Sequence, residues 1–287
     1  MKLGIIGQGF VGSAIYEGLR CFYETFTYDL DESKCTHSHT EVCRNSDVIF
    51  VCVPTPMRKS GECDTRILEE AVKRINDECE KDPKKNRPTV VIKSTVPPGT
   101  TSRINQDVAT VLDVCFSPEF LTEANSFDDF KNQSRIIIGG NPDINCVGAR
   151  KVKSMFRKPF PTIPIVVTKS ETAEMVKYFT NCFLATKVIF ANEMYQICET
   201  ASIDYDKVLE YVLYDDRFGR THLSVPGPDG DLGFGGHCFP KDLSGLIHFA
   251  DALGADCSVL KAVRTKNEEV RTNKDWKKMT GRAVSED

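Results

Sequence analysis

Lys2-Leu3-Gly4-Ile5-Ile6-Gly7-Gln8-Gly9-Phe10-Val11-Gly12 opens the chain, and its reading decides the fold. A short apolar strand, Lys2 to Ile6, runs straight into three spaced glycines. Apolar residues then recur at helical spacing through Ala14, Ile15 and Leu19. A second strand, Thr25 to Tyr28, ends on Asp29, 17 residues after Gly12. Strand, tight turn, helix, strand and acid form the context in which this glycine pattern signifies dinucleotide binding. Gly7 permits the turn, Gly9 lets a pyrophosphate approach the backbone, and Gly12 lets helix and strand pack closely. The positive end of the helix meets the phosphates. An acid closing the second strand suits two free ribose hydroxyls, which favours NAD over NADP.

Downstream, the same alternation continues. Asp47 to Val53 is a continuous apolar run of the kind found in doubly covered parallel strands, and it ends in Pro54-Thr55-Pro56. Residues 65–79 read as an amphipathic helix, and the polar stretch from Lys81 to Pro88 reads as a solvated loop. Val90 to Ile92 is a strand leading into Ser94-Thr95-Val96-Pro97-Pro98-Gly99-Thr100. Val111 to Phe116 is another, leading into Ser117-Pro118-Glu119-Phe120-Leu121-Thr122-Glu123. Arg135 to Ile138 and Ile163 to Val167 close the sheet. Ligands of open α/β sheets bind beyond the carboxyl ends of the strands, where Thr55, Thr95, Glu119 and Glu123 fall.

After Thr168 the pattern changes to helix. Residues 171–200 contain no Gly or Pro and predict one long helix, part of which can pack on a second subunit. Lys177 and Asn181 lie one turn apart on it. Residues 205–213, 240–253 and 258–270 predict further helices, Val225 to Gly230 a flexible loop, and the last dozen residues a fraying polar tail. The expected architecture is therefore α/β. A Rossmann-like doubly wound parallel sheet (1–168) precedes an all-helical domain (169–275) and a tail (276–287). Between the helices stands Gly233-Phe234-Gly235-Gly236-His237-Cys238-Phe239-Pro240-Lys241-Asp242. This glycine-rich loop delivers a thiol with two charged groups just beyond it, a candidate nucleophile. A glycine-rich turn with an inert, buried Cys is the alternative.

With 287 residues, 40% apolar and 27% charged, the chain has the composition of a globular protein with ample core. A net charge of −4 without a basic run gives no footprint for nucleic acid, and no apolar stretch approaches a membrane span. The first residues lack the features of a signal peptide. Twelve cysteines with no C-x-x-C pair fit reduced thiols in a cytosolic setting. Cys35-x-His37-x-His39-x₃-Cys43 touches on metal-ligand chemistry, but it lacks paired spacing and is expected in a surface loop, so no metal is assigned.

Six motifs occur in the order found in one family. They are the Gly7/Gly9/Gly12 turn, Val53-Pro54-Thr55-Pro56, Ser94 to Thr100, Pro118-Glu119-Phe120-Leu121-x-Glu123, Lys177-x-x-x-Asn181 and Gly233 to Asp242. From residue 1 to about 270 the chain resembles the UDP-glucose/GDP-mannose dehydrogenase family, on its UDP-glucose branch. The resemblance implies an NAD-dependent double oxidation of the sugar's primary alcohol to an acid, through a thiohemiacetal and a thioester on Cys238. It implies that Lys177 and Asn181 serve the oxyanion, Asp242 and Thr95 orient the lysine and a water, and Glu119 assists thioester hydrolysis. The implied cofactor contacts are Gly7, Gly9, Phe10, Val11, Gly12, Asp29, Lys34, Val53, Pro54, Thr55, Ser94, Thr95 and Glu123. Substrate contacts implied are Glu119, Phe120, Leu121, Thr122, Glu123, Lys177, Asn181, Arg217, Gly233, Phe234, Gly235 and Gly236. Arg217 is expected to reach a neighbouring subunit, in a homodimer formed through the 171–200 helix.

Family members typically continue with a third α/β domain that grips the uridine diphosphate, and the resemblance does not extend to one here. Two alternatives therefore stand beside the main reading. One is a β-hydroxyacid dehydrogenase of the same superfamily, which needs neither the Cys nor the Glu119/Glu123 pair. The other is a catalytically idle NAD- or nucleotide-sugar-binding protein.

Overall fold

The computed structural model describes residues 1–81, 87–140 and 147–286. They fall into two compact units, Met1–Thr55 with Thr65–Lys177 and Pro56–Asp64 with Tyr178–Asp287.

The first unit is built on seven strands: β1 (Lys2–Ile6), β2 (Glu24–Tyr28), β3 (Val48–Val51), β4 (Thr89–Ile92), β5 (Asp113–Phe116), β6 (Ile136–Gly140) and β7 (Ile165–Lys169). Their order is β2-β1-β3-β4-β5-β6-β7, with every neighbouring pair parallel except β5 and β6. The parallel sheet expected from sequence thus carries one antiparallel step. Side-chain alternation splits the core in two. Leu3, Ile5, Val48, Phe50 and Val91 face one apolar layer; Ile6, Ile49, Val51, Val90 and Ile92 face the other. Burial on both faces is why these strands read as unbroken apolar runs. The helices are α1 (Phe10–Leu19), α2 (His39–Asn45), α3 (Arg66–Glu80), α4 (Thr100–Asp107), α5 (Ser126–Lys131) and α6 (Val147–Arg157). Most of the loop expected from Lys81 to Pro88 lies outside the described residues.

Cys35 to Ser38 is irregular and partly exposed, as expected of a surface loop, but His39 to Cys43 is helix. Ser38 and Glu41 form a capping box that starts α2, and Cys43 is buried. His37 packs edge-on against Phe26 and His39 against Tyr28. Among the described residues, no three His, Cys, Asp or Glu are grouped to hold a metal.

Helix α7 (Ser170–Thr200) starts in the first unit and continues into the second; its 31 residues span about 46 Å at 1.5 Å per residue. The second unit adds α8 (Tyr205–Val212), α9 (Cys238–Ala252) and α10 (Ser258–Val270) around a core that includes Cys182, Ile189, Phe234, Leu243 and Ile247. Its last residues do not fray. Trp276 and Ala283 are buried, and the segment pairs backbone to backbone with Met57, whose N–H donates to Ala283 O at 2.9 Å. The loop from Val225 to Gly230 is likewise tied down: Arg271, buried, pairs with Asp229 and Asp231. Among the described residues, no helix is long and apolar enough to cross a membrane.

Candidate functional site

In the first unit the predicted dinucleotide turn sits at the carboxyl end of β1. A Cβ at Gly12 would collide with the carbonyl oxygen of Gly7, so only glycine lets α1 pack this closely on the strand. Gly9 is the N-cap of α1. It offers no side-chain cap, the first turn holds no acid, and a Cβ built there meets nothing within 4 Å. Helix positive end and open backbone together fit a pyrophosphate. Phe10 and Val11 form the first turn. Asp29 follows β2 and accepts from the Gln8 N–H at 2.5 Å and the Asp31 N–H at 2.9 Å, which fixes the acid beside the glycine turn. Buried Gln8 Nε2, by contrast, has no hydrogen-bond partner, an orphaned donor beside that turn. The residues present therefore fit a dinucleotide. Lys34 lies on a 3₁₀ turn (Glu32–Lys34), 3.5 Å from Asp31.

The exits of β3 and β4 are latched to each other. Ser94 Oγ donates to Val53 O at 2.5 Å, and Thr55 Oγ1 donates to Thr95 O at 2.7 Å. Pro54 is exposed between them, while Thr55 and Thr95 are buried. Beyond β5, Glu119 is buried against Lys177, also buried. The ammonium lies 2.9 Å from Glu119 Oε1 and donates to the Glu119 carbonyl at 2.6 Å. The other carboxylate oxygen, Oε2, accepts from the Leu121 N–H at 2.6 Å. Phe120 lies 5.6 Å from Lys177 Nζ and 4.3 Å from the Arg135 guanidinium, two cation–π contacts. Thr122 is pinned by Asp129, and Glu123 is exposed at the start of a 3₁₀ turn.

In the second unit Cys238 is the first residue of α9, with His237 at the N-cap. Sequence reading places it in a loop because Pro240 marks a helix start. Proline is tolerated throughout a first turn, so the helix begins two residues earlier. A helix N-terminus favours negative charge on a residue there. Lys241, one turn on, is mostly covered, its side chain 10% exposed. Burial works against its charge, but Asp242, Cys238 and Cys63 outweigh that and hold it well above the usual lysine range. Asp242 accepts from Asn181 Nδ2 at 2.6 Å and from Lys241. The thiols of Cys43 and Cys52 are pushed by burial up to about 12, which keeps them protonated and inert.

The Gly233–Gly236 loop is held by side chains that sequence reading missed. Asn192 accepts from the Gly233 N–H, Asn267 bonds both the N–H and the carbonyl of Phe234, and Asp275 accepts from the Gly236 N–H. At Gly235 a Cβ would meet Arg271 and Asp275 at 2.5 Å, so the latch itself demands glycine. These partners lie 33 to 41 residues away, and no local signal could have found them. Arg217 is exposed and pairs locally with Asp215.

Missed in the first unit were Lys93 and Glu174. Glu174 is fully buried and caps α4, accepting from Gly99 N (2.7 Å), Thr101 N (2.9 Å) and Thr101 Oγ1 (2.6 Å). One turn before Lys177, it fixes the loop after β4 as Lys177 fixes the loop after β5. An acid three residues ahead of a lysine is ordinary on an exposed helix, so the sequence carries no signal for the burial of Glu174.

Residues 17–159 match the model of the UDP-glucose/GDP-mannose dehydrogenase family's NAD binding domain, and residues 171–269 match its central domain. A UDP-glucose 6-dehydrogenase of Rickettsia conorii is 35% identical over 90% of this chain, which covers 57% of that protein. A putative UDP-glucose 6-dehydrogenase of Bacillus subtilis is 30% identical over 93% of the chain, covering 68% of its own length. The solved UDP-glucose dehydrogenase of Pyrobaculum islandicum superposes with a TM-score of 0.82 at 30% identity, over 93% of this chain and 68% of that one. The chain thus spans little more than half the length of the Rickettsia relative.

Proposed function

The chain belongs to the UDP-glucose/GDP-mannose dehydrogenase family, and from that premise we propose that it carries the NAD-binding and cysteine-bearing parts of a UDP-glucose 6-dehydrogenase. The observation that carries the reading is Cys238 at the first position of α9, one turn ahead of an ion pair between mostly covered Lys241 and buried Asp242. A thiol kept there for packing alone would not require an ion pair largely withdrawn from water beside it.

The oxidation proceeds in two halves. Bound NAD⁺ supplies the hydride acceptor for each. In the first, the C6 alcohol gives up a hydride, its proton passes to solvent through the water that Thr95 and Asp242 orient, and Lys177 and Asn181 stabilise the oxygen on which charge develops. The Cys238 thiolate then adds to the aldehyde carbon, forming the C–S bond of a thiohemiacetal. Loss of the second hydride leaves a thioester. Water, directed by Glu119, adds to its carbonyl; the C–S bond breaks, the carboxylate leaves and the thiolate is restored. A thiolate suits both roles because it adds to aldehydes readily and departs well as an acyl leaving group. Thr95 and Asp242 orient the water and the charged groups around it. Gly7, Gly9, Gly12 and Asp29 hold the dinucleotide, and the Glu119–Glu123 loop with Gly233–Gly236 holds the sugar nucleotide.

The outward face of α7 supports a homodimer. Phe183, Phe190 and Ile197 repeat every seven residues and are all more than half exposed, beside an apolar groove of about 640 Å³ shared with α8. Arg217 borders that groove, in reach of a second copy. The described cysteines are all free thiols, consistent with a cytosolic protein.

Purified chain with UDP-glucose and NAD⁺ is expected to yield two NADH per acid formed, with GDP-mannose as the competing substrate. Cys238→Ala is expected to stop acid formation and leave NAD⁺ binding intact; acid at the wild-type rate would refute the covalent route. Phe190→Glu is expected to shift the mass in sedimentation from dimer to monomer, and a monomeric wild type would sink the dimer.

A further inference from the structure

Lys93 is a buried cation that the reaction above does not use. It follows β4 and is only 6% exposed. Its backbone N–H donates to Val51 O at 3.0 Å, and the neighbouring Ile92 O accepts from Ser117 N at 2.9 Å, so its main chain is an extension of the sheet. The ammonium reaches sideways to the next strand's exit and donates to Pro118 O at 3.1 Å and Ser117 Oγ at 3.4 Å. Both acceptors are neutral. Filling a sheet end with a charged amine in place of Met or Leu costs desolvation that two neutral acceptors repay poorly. What the amine achieves is geometric. Lys93 grips residues 117 and 118 from the sheet, and Lys177 grips residue 119 from α7. Two ammonium groups thus bracket three consecutive residues, the last of which is Glu119.

We propose that Lys93 is the positioning residue that sets where the Glu119 carboxylate stands, and that it must be charged to do so. The inference rests on the reading of Glu119 as the group that directs water. Cys52 beyond β3, Glu119 beyond β5 and Lys177 on α7 are the ionisable groups that act on it. Burial lowers its proton affinity most and Lys177 adds to this, while Cys52 and Glu119 oppose, leaving it at about 8. Below that pH the loop is held by charge-assisted hydrogen bonds, and above it by weaker neutral ones.

Two measurements on the full chain test this. Hydrogen exchange read by mass spectrometry should show residues 117–123 opening about ten times faster in Lys93→Met than in wild type, with 113–116 unchanged. Equal protection at 117–123 would overturn the positioning role. In steady-state kinetics, Lys93→Met should lower kcat for acid formation about tenfold with KM for UDP-glucose within twofold, the split expected when only the reacting geometry is lost. Wild-type kcat should fall as pH rises through about 8, and that limb should vanish in Lys93→Met. An identical alkaline limb in both would overturn the need for charge. Should Lys93→Met not fold, wild-type exchange between pH 7 and 9, corrected for intrinsic base catalysis, tests the same point. Selective opening of 117–123 supports the proposal and uniform protection refutes it. A wild type that forms no acid would refute the reading of Glu119, while the exchange data would still decide Lys93.

Discussion

Breaking the Lys177–Glu119 pair should cost far more than a surface ion pair would. Lys177 is 3% and Glu119 9% exposed, and the ammonium makes two short contacts to the same residue, carboxylate and carbonyl. Lys177→Met would remove both and leave the carboxylate buried with the Leu121 N–H. Losing one member of a buried pair costs about 3–5 kcal/mol, against about 0–1 kcal/mol for an exposed one. Glu119→Gln keeps an oxygen for the lysine but loses the charge, a loss of roughly 2 kcal/mol on the scale of hydrogen bonds to charged groups. In the double variant no buried charge is stranded by the carboxylate, so the two costs should not add. A coupling of about 2 kcal/mol is expected from the double-mutant cycle. The assay is urea unfolding of the four proteins followed by circular dichroism, repeated at high salt, which should leave the coupling nearly unchanged because a dry pair is poorly screened. A cost for Lys177→Met below about 1 kcal/mol, or additivity within about 0.5 kcal/mol, would show that the pair is wet and refute its description as a buried brace.

Lys93 also makes a stability prediction with a defined sign. Its folded-state affinity, about 8 against an ordinary 10.5, means the unfolded chain holds the proton longer, so stability should rise with pH through that window. The rise is about 3 kcal/mol at 1.36 kcal/mol per unit, present in wild type and absent in Lys93→Met; parallel stability–pH curves would contradict it. Glu174→Gln should cost about 2 kcal/mol, because its amide would face the Gly99 N–H, and should speed exchange at residues 99–103; a variant as stable as wild type would mean the cap is dispensable. Trp276→Ala should destabilise the second unit by about 3–5 kcal/mol in denaturant unfolding, whereas a loose tail would lose almost nothing.

By itself, the sequence determined the strand–turn–helix at residues 2–19, the buried runs of β3 and β4, the length of α7 and the identity of the thiol loop. Each rests on interactions a few residues apart: the steric demand at Gly12, apolar periodicity, and the absence of Gly and Pro from residues 171–200. Ser38 and Glu41 announce α2 as plainly, but the neighbouring Cys and His compete with that signal by suggesting a metal site. Tertiary structure alone decided what surrounds the reactive groups. It buried Lys93 against residues 24 and 25 positions away, set Glu174 on a cap 73 positions distant, brought Asn181 to Asp242 across 61, and covered Trp276. Those pairings follow from chain segments docking on a common core. A hydrogen bond between residues so far apart leaves no periodicity, spacing or composition in the sequence from which it can be read.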